Sequence, residues 1–483
     1  MDPSLKDRIR RARVWATVSF LILAGALVYW QIDQSTRLLR IPGNPHWSLL
    51  ERHVRRGTIY DCNGTPLAIS EGTGPWRRAY PQSSLCAHVL GYESVQYGRT
   101  GIERKLDAEL SGMGPSPTPF DINPLLTGEK KAGDDVYLTL DLPTQKAASA
   151  ALGNRLGAVI ALDPATGRIL ALVSHPSFDP ASIDSEWPQL VHDPNRPLLD
   201  RALQGRYQPG STFKVLTVSA AIDTETVTPD DTYYCPGYFD IGKYRIHEMD
   251  GEVHGHLTVA MALAQSCNIT FAQVGLKLGA ARLLEYADRF RVDRPLDFIL
   301  PTTVGQITDP SKLKQEAGKD ADNVGLLGVK TILAQSAFGQ GQVAISPLED
   351  ALIDAAVANG GVLMKPYLVD RVVDPSGKVV LQTKPEVLSQ PIQASTARTV
   401  TSMMELTMTA GTGRHLQIPG LVMAGKTGTA ENPGHRTHAW FVGFAPADHP
   451  KVLAICIVEH GGVGGVEAGP IVRQTILAAL RRK

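Results

Sequence analysis

The 483-residue chain has no excess of charge of either sign: 48 Lys and Arg stand against 48 Asp and Glu, a formal net charge of zero. That balance argues against a nucleic-acid partner. Cysteine is scarce and odd in number, five residues at 62, 86, 235, 267 and 456 with no C-x-x-C pair, so the common metal and redox signatures are missing. Outside the cytoplasm one or two disulfides can form among them, leaving at least one thiol unpaired. The closest histidine pairs, "HGH" (254–256) and "HRTH" (435–438), have no cysteine or carboxylate at a recognisable ligand spacing, and no metal is expected. The chain lacks an internal repeat and a long low-complexity linker. It also lacks long apolar runs, with one exception.

That exception is "VWATVSFLILAGALVYW" (14–30), which carries no charged residue and follows the basic "KDRIRRAR" (6–13). With Gln31 and Ile32 it is long enough to cross a bilayer. The basic flank predicts a cytoplasmic N-terminus, with the chain from about residue 33 onward outside. A cleaved signal peptide is the competing reading, but Trp30 and Gln31 follow the run without a small-x-small pattern. Residues 1–32 therefore read as a tail and an uncleaved anchor.

From 33 to about 140 the chain is rich in Gly and Pro. The short runs "GTIYD" and "PLAIS", split by "CNG", read as a hairpin within a small strand-containing module. Residues 113–135 read as a connecting loop. Beyond them come a strand, "DVYLTLD", a helix, "LPTQKAASAAL", and two strands joined by a Pro-Ala-Thr-Gly turn, "GAVIALDPATGRILALVS". The far end mirrors this with "HAWFVGFA", "KVLAICIVE" and an amphipathic helix, "PIVRQTILAALRR". Strands at both ends with helical patterns between them imply an α+β domain over 141–483, an antiparallel sheet flanked by helices.

Three stretches carry chemistry. "QPGSTFKVLT" (208–217) places Ser211 and Lys214 three apart at a helix start, about 60° apart around the axis and roughly 4.5 Å along it, so the side chains share a face. A serine hydroxyl becomes a nucleophile when a neighbour takes its proton, and a lysine amine can do so if burial lowers its pKa. "SCN" sets Ser266 and Asn268 between hydrophobic flanks, where polar groups need partners. "AGKTGTAE" (424–431) offers Lys426, the hydroxyls of Thr427 and Thr429, and Gly428, where backbone can approach a ligand with no side chain between. Each admits a structural explanation alone: a helix cap, a turn between helices, a lysine-protected edge strand.

Together and in this order, Ser-x-x-Lys, Ser-x-Asn and Lys-Thr-Gly resemble the signature of penicillin-binding proteins and serine β-lactamases. The chain as a whole resembles a class B penicillin-binding protein, a monofunctional peptidoglycan D,D-transpeptidase. "RRGTIYDCNGTPLA" (55–68) is similar to a family signature, with Cys62 where arginine is usual, and "GRTGIERKLDAELSG" (98–112), "RALQGRYQPGSTFK" (201–214) and "HAWFVGFAP" (438–446) are similar too. The module is too short for a glycosyltransferase domain, which argues against class A.

The resemblance implies the penicillin-binding transpeptidase fold and a role for each residue. Ser211 is the nucleophile, Lys214 its base, Ser266 a proton relay, and Asn268 a positioning group for substrate and Lys214. Lys426 supplies a positive field that helps keep Lys214 neutral. Thr427, Gly428 and Thr429 bind the substrate, the two threonines at its carboxylate, while the N–H groups of Ser211 and Thr429 form an oxyanion hole. Cys267 faces away and packs. No cofactor is implied. The partners implied are D-Ala-D-Ala stem peptides, an amine acceptor, β-lactams, and a multi-pass membrane glycan polymerase contacted through residues 14–110. A β-lactamase or carboxypeptidase and a membrane-bound penicillin sensor or scaffold are the alternative readings.

Overall fold

The computed structural model describes residues 3–34, 54–112, 132–307, 324–432 and 434–482. Residues 113–131, most of the expected connecting loop, lie outside the described residues.

A five-stranded antiparallel sheet organises the larger part of the chain, in the order Ala424–Ala430, His438–Ala445, Val452–Val458, Gly157–Leu162, Ile169–His175. The expected hairpins at the two ends meet side by side, Leu453 opposite Leu162 and Ile455 opposite Ile160. Side chains alternate along these strands, so each sorts its residues to two faces. Ile160, Leu162, Val442, Phe444, Ile455 and Ile457 pack with Phe213, Leu216, Ile269, Phe271, Leu348 and Ile353 of the central helices. Val159, Ala161, Phe441, Ala454 and Cys456 pack on the other face with Ala148 and Leu152 of the helix Leu142–Leu152 and Ile471, Val472 and Ile476 of Gly469–Leu480. A sheet covered on both faces needs near-continuous apolar strands, which is why "KVLAICIVE" shows little alternation.

The apolar middle forms helices Val259–Ala264, Asn268–Leu278 and Ala280–Arg289. The first is capped by Thr258, whose side chain accepts from Met261 N–H, and the chain breaks at Ser266-Cys267 before the second.

A second sheet has the order Val379–Gln382, Val369–Val373, Asp135–Leu138, Ile59–Tyr60, Pro66–Glu71, Arg77–Ala79. It contains the expected hairpin, Ile59 opposite Ala68, but Asp135–Leu138 joins that hairpin in parallel and Val369–Val373 adds on its other side. Val369–Val373 and Val379–Gln382, which the sequence places in the 141–483 domain, thus complete the N-terminal sheet. Buried charge pins the module. Arg56 donates to Glu103 at 2.9 Å and to Asp107 at 2.7 Å, and Arg78 donates to Glu103 at 2.6 Å, so the segments 55–68 and 98–112 are joined by one ion network. Where arginine is usual, Cys62 sits 3.9 Å from Asp141, and the adjacent Asn63 Nδ2 donates to the same Oδ1 at 2.9 Å.

Pro3–Val28 is one helix whose apolar side chains, Trp15, Phe20 and Leu21 among them, are exposed, and the span Leu5–Gln31 is long and apolar enough to cross a membrane.

Candidate active site

The segment "QPGSTFK" changes backbone type at Gly210, whose φ of +57° is a conformation that glycine tolerates best. Ser211 lies in a tight 3₁₀ turn, Gly210–Phe213, and Lys214 opens the α-helix Lys214–Asp223 that continues it. Ser211 makes no helix-cap hydrogen bond there, so the capping explanation for this serine does not apply. The turn is pressed against the edge strand Ala424–Ala430. A Cβ at Gly428 would lie 2.8 Å from Trp440 Cβ and 3.0 Å from Pro209 O. What the missing side chain at Gly428 admits is the Ser211 turn itself, where the sequence suggested a ligand.

The three motifs meet around Ser266. Lys214 Nζ donates to Ser266 O at 2.5 Å and to Asn268 Oδ1 at 2.8 Å, and lies 3.4 Å from Ser266 Oγ. Lys426 Nζ donates to the same Ser266 Oγ at 2.9 Å and to Thr427 O at 2.8 Å. Ser266 has φ +64°, a left-handed conformation costly for a non-glycine residue and held here by its neighbours. Cys267 caps the next helix, its Sγ accepting from Thr270 N–H, and this presents Asn268 at the helix start. Both amines are fully buried. Burial lowers Lys214 to about 8, with Glu248 opposing the shift. Lys426 is driven well below the usual lysine range by burial and then by the positive charge of Lys214, Asp354 opposing. Both lysines are thus lowered, Lys214 as the sequence reading expects and Lys426 as well. Asp354, also deeply buried, is itself pushed well above the usual carboxyl range by burial, which limits the charge it can set against that lowering.

A neutral amine has two N–H donors and one lone pair. The two short bonds from Lys214, to Ser266 O and Asn268 Oδ1, use both donors and leave the lone pair to accept a hydroxyl proton. Ser211, Ser266, Asn268, Thr427 and Thr429 line one cleft of about 690 Å³, together with Thr412, Arg414 and His415. Thr412 Oγ1 and Thr427 Oγ1 are 2.6 Å apart, and Gly464 N–H donates to Thr429 Oγ1 at 3.4 Å. Ser211, Lys214, Ser266, Asn268, Lys426, Thr427 and Thr429 are therefore brought together, and Gly428 acts from behind the strand.

Sequence reasoning missed the floor of this site. The helix Pro347–Ala358 is buried on all sides and carries Asp350 and Asp354. Thr212 Oγ1 lies 2.7 Å from Asp350 Oδ2 and 2.9 Å from Pro209 O, which fixes the residue after the nucleophile. Burial pushes Asp350 up to about 7. The available signal was "LEDALIDAA", two carboxylates one helical turn apart in an apolar helix.

A buried serine, two buried amines and an amide around one cleft define a serine acyl-transfer enzyme. Residues 157–477 match the penicillin binding protein transpeptidase domain, and residues 56–136 match the penicillin binding protein A dimerisation domain. The chain belongs to the class B penicillin-binding proteins. It is 34% identical to the peptidoglycan D,D-transpeptidase PbpA of Mycolicibacterium smegmatis over 99% of each chain. It superposes on penicillin-binding protein A from M. tuberculosis, in a penicillin G acyl-enzyme complex, with a TM-score of 0.79 and 31% identity over 88% of this chain and 100% of that one. For the D,D-transpeptidase domain of a peptidoglycan glycosyltransferase from Eggerthella lenta the TM-score is 0.78, with 33% identity over 89% of this chain and 98% of that one.

Proposed function

We propose that the protein is a peptidoglycan D,D-transpeptidase that cross-links stem peptides through an ester on Ser211. The observation that carries this reading is the meeting of Lys214, Asn268 and Lys426 around Ser266 in the cleft lined by Ser211. Ser211 Oγ attacks the carbonyl carbon of the penultimate D-alanine as Lys214 Nζ takes the hydroxyl proton. The carbonyl oxygen gains negative charge, which the N–H groups of Ser211 and Thr429 stabilise, each donor worth roughly 3 to 4 kcal/mol in comparable sites. The edge position of Ala424–Ala430 supports this, since an outermost strand keeps one row of backbone groups unpaired by the sheet.

The C–N bond to the terminal D-alanine then breaks, and its nitrogen receives a proton through Ser266, which the two lysines reach from either side. Thr427 and Thr429 hold the terminal carboxylate with their hydroxyls. Asn268 positions Lys214 and a substrate amide, and Gly428 lets the nucleophile turn close on the strand. An amine from a neighbouring peptide attacks the ester, forms the new amide and returns the proton to Ser211. The step uses the energy of an existing amide and needs no cofactor.

Residues 1–32 serve as tail and anchor with the N-terminus cytoplasmic, 33–140 as a pedestal, and 141–483 as the transpeptidase unit on the outer side of the membrane. A multi-pass glycan polymerase is the proposed partner at the anchor and pedestal. The decisive experiment labels the full-length chain and Ser211→Ala with a fluorescent penicillin. A stable adduct is expected on the former alone, and equal labelling of both would reject Ser211 as nucleophile.

A further inference from the structure

Beside the Ser266–Asn268 turn Cys235, Glu248, His254 and Cys267 converge, and Glu248 and His254 also line the cleft that Ser211 and Ser266 share. Their donor atoms all lie within 4.8 Å of one another. Glu248 Oε1 is 3.5 Å from Cys235 Sγ, 3.0 Å from Cys267 Sγ and 3.9 Å from His254 Nδ1, and Cys235 Sγ is 3.6 Å from His254 Nδ1. Four ligands on a tetrahedral zinc, at metal–ligand distances of about 2.0–2.3 Å, stand roughly 3.3–3.8 Å apart. Four of the six separations, at 3.0–3.9 Å, are close to those dimensions, and all six are within 4.8 Å.

Its surroundings also suit ligands. Both cysteines are fully buried and Glu248 is nearly so. Cys267 Sγ accepts from Thr270 N–H at 3.4 Å and Thr270 Oγ1–H at 3.2 Å, and its own S–H faces Glu248 Oε1, so a metal replacing that proton finds the sulfur already held in place. Glu248 Oε1 also accepts from Ile269 N–H at 2.8 Å. On the outer side His254 Nε2 is 3.4 Å from Glu252 Oε2, so an outer carboxylate can hold the N–H on Nε2 and turn the Nδ1 lone pair toward the cluster. Core packing explains buried cysteines but not a carboxylate and an imidazole wedged between them. Sequence spacing hid the set, because the ligands are spread from 235 to 267 and meet only when the strand Thr232–Cys235 pairs with Gly255–Thr258 beside the helix break.

We propose that Cys235, Glu248, His254 and Cys267 form a four-ligand structural zinc site that fastens the Ser266–Asn268 turn. Two soft thiolates select zinc over magnesium or calcium, and four protein ligands leave no open position for catalysis on the metal. Cys267 sits between Ser266 and Asn268, so a bond at its sulfur holds both flanking residues and the left-handed backbone at Ser266. Binding releases two thiol protons to solvent. The cluster carries one negative charge before, on Glu248, and one after, from two thiolates, one carboxylate and a dication. The field felt by Lys214 is therefore preserved while the turn becomes rigid.

The test uses the full-length chain in detergent, reduced, stripped with a chelator, and titrated with zinc or cobalt(II). About one equivalent of zinc is expected to bind, with about two protons released. Cobalt(II) is expected to give a thiolate charge-transfer band in the near ultraviolet together with the visible bands of tetrahedral coordination. Penicillin acylation is expected to fall at least tenfold on stripping and to return with zinc. Cys235→Ser and His254→Ala should abolish the cobalt band, and Glu252→Gln should weaken zinc binding about 10- to 100-fold. Should a ligand variant fail to fold, the cobalt spectrum of the unaltered protein decides alone. Absence of the thiolate band, zinc well below one equivalent, or a Cys235–Cys267 disulfide in the isolated protein overturns the proposal. Ser211→Ala is expected to bind zinc normally, so loss of the acyl-transfer reading and loss of the zinc site give different results.

Discussion

The position of Lys214 converts directly into a pH profile. Burial lowers its pKa from 10.5 to about 8. At pH 7 an ordinary lysine is neutral in about one molecule in three thousand, whereas one at about 8 is neutral in roughly one in ten, a gain near 300-fold in the proton-accepting form. If the neutral amine takes the Ser211 proton, acylation follows the neutral fraction, from about 1% at pH 6 to about 90% at pH 9. The second-order rate constant for labelling by a fluorescent penicillin should therefore rise roughly 90-fold across that range, with its midpoint near pH 8. Lys214→Arg supplies a charge that never titrates in this range and should lose the rise together with most of the rate. Stability moves the same way. A base whose folded pKa lies below its unfolded value costs stability in full where both states are protonated, below about pH 8, and the cost is relieved as pH climbs from 8 to 10.5, where the unfolded chain alone holds the proton. A labelling rate that is flat or falling between pH 6 and 9 in a protein folded throughout would refute Lys214 as the base.

Three further outcomes test other joints of the structure. Glu103→Ala strips the buried partner of Arg56 and Arg78 and should cost about 3–5 kcal/mol in a denaturant melt; a loss under about 1 kcal/mol would mean the arginines find other partners. Gly428→Ala forces a Cβ to within 2.8 Å of Trp440 Cβ and should cost about 1–3 kcal/mol while slowing acylation at least tenfold, since turn and strand must part; normal labelling kinetics would show that their contact is dispensable. Asp350, at about 7, binds a proton in the fold that the unfolded chain has released between pH 4 and 7, so it opposes stability increasingly as pH rises through that window. Asp350→Asn, which cannot ionise, should match the parent's melting temperature near pH 4 and exceed it near pH 8, and equal temperatures at both would show that the carboxyl is not held neutral.

What could be read in the sequence was whatever the chain writes contiguously. Ser211 and Lys214 are one turn apart, Ser266 and Asn268 two residues apart, and Lys426 to Thr429 consecutive, so local geometry presents each group before tertiary structure is known. The sheet made from distant ends was legible because both hairpins carry their own turns. The strand Val369–Val373 was not, for its pairing with Asp135–Leu138 bridges more than two hundred residues and leaves no local mark. Asp350 and Asp354 were missed for another reason: on a helix they look like a solvent-facing stripe, and only the burial of every face of Pro347–Ala358 shows otherwise. The cluster at 235–267 joins a strand end, two loop positions and a helix cap, a combination that no spacing rule anticipates.

The same burial that costs stability is what makes Ser266 the centre of the site. Two buried amines share one hydroxyl oxygen at the edge of the cleft, and the charge of Lys214 resists the protonation of Lys426. The pair is therefore poised one proton short near neutrality, able to take a proton from Ser211 and pass one toward a leaving amine without either lysine moving through solvent. Such poise requires the lysines to be fixed, because a shift of an ångström toward water would restore their ordinary basicity. Fixation comes from opposite sides: Asn268 and the Ser266 carbonyl hold Lys214 from the helix break, and the Thr427 carbonyl holds Lys426 from the edge strand. A catalytic turn with φ +64° at its central serine cannot stay in place by propensity alone, and the groups behind it must bear that strain.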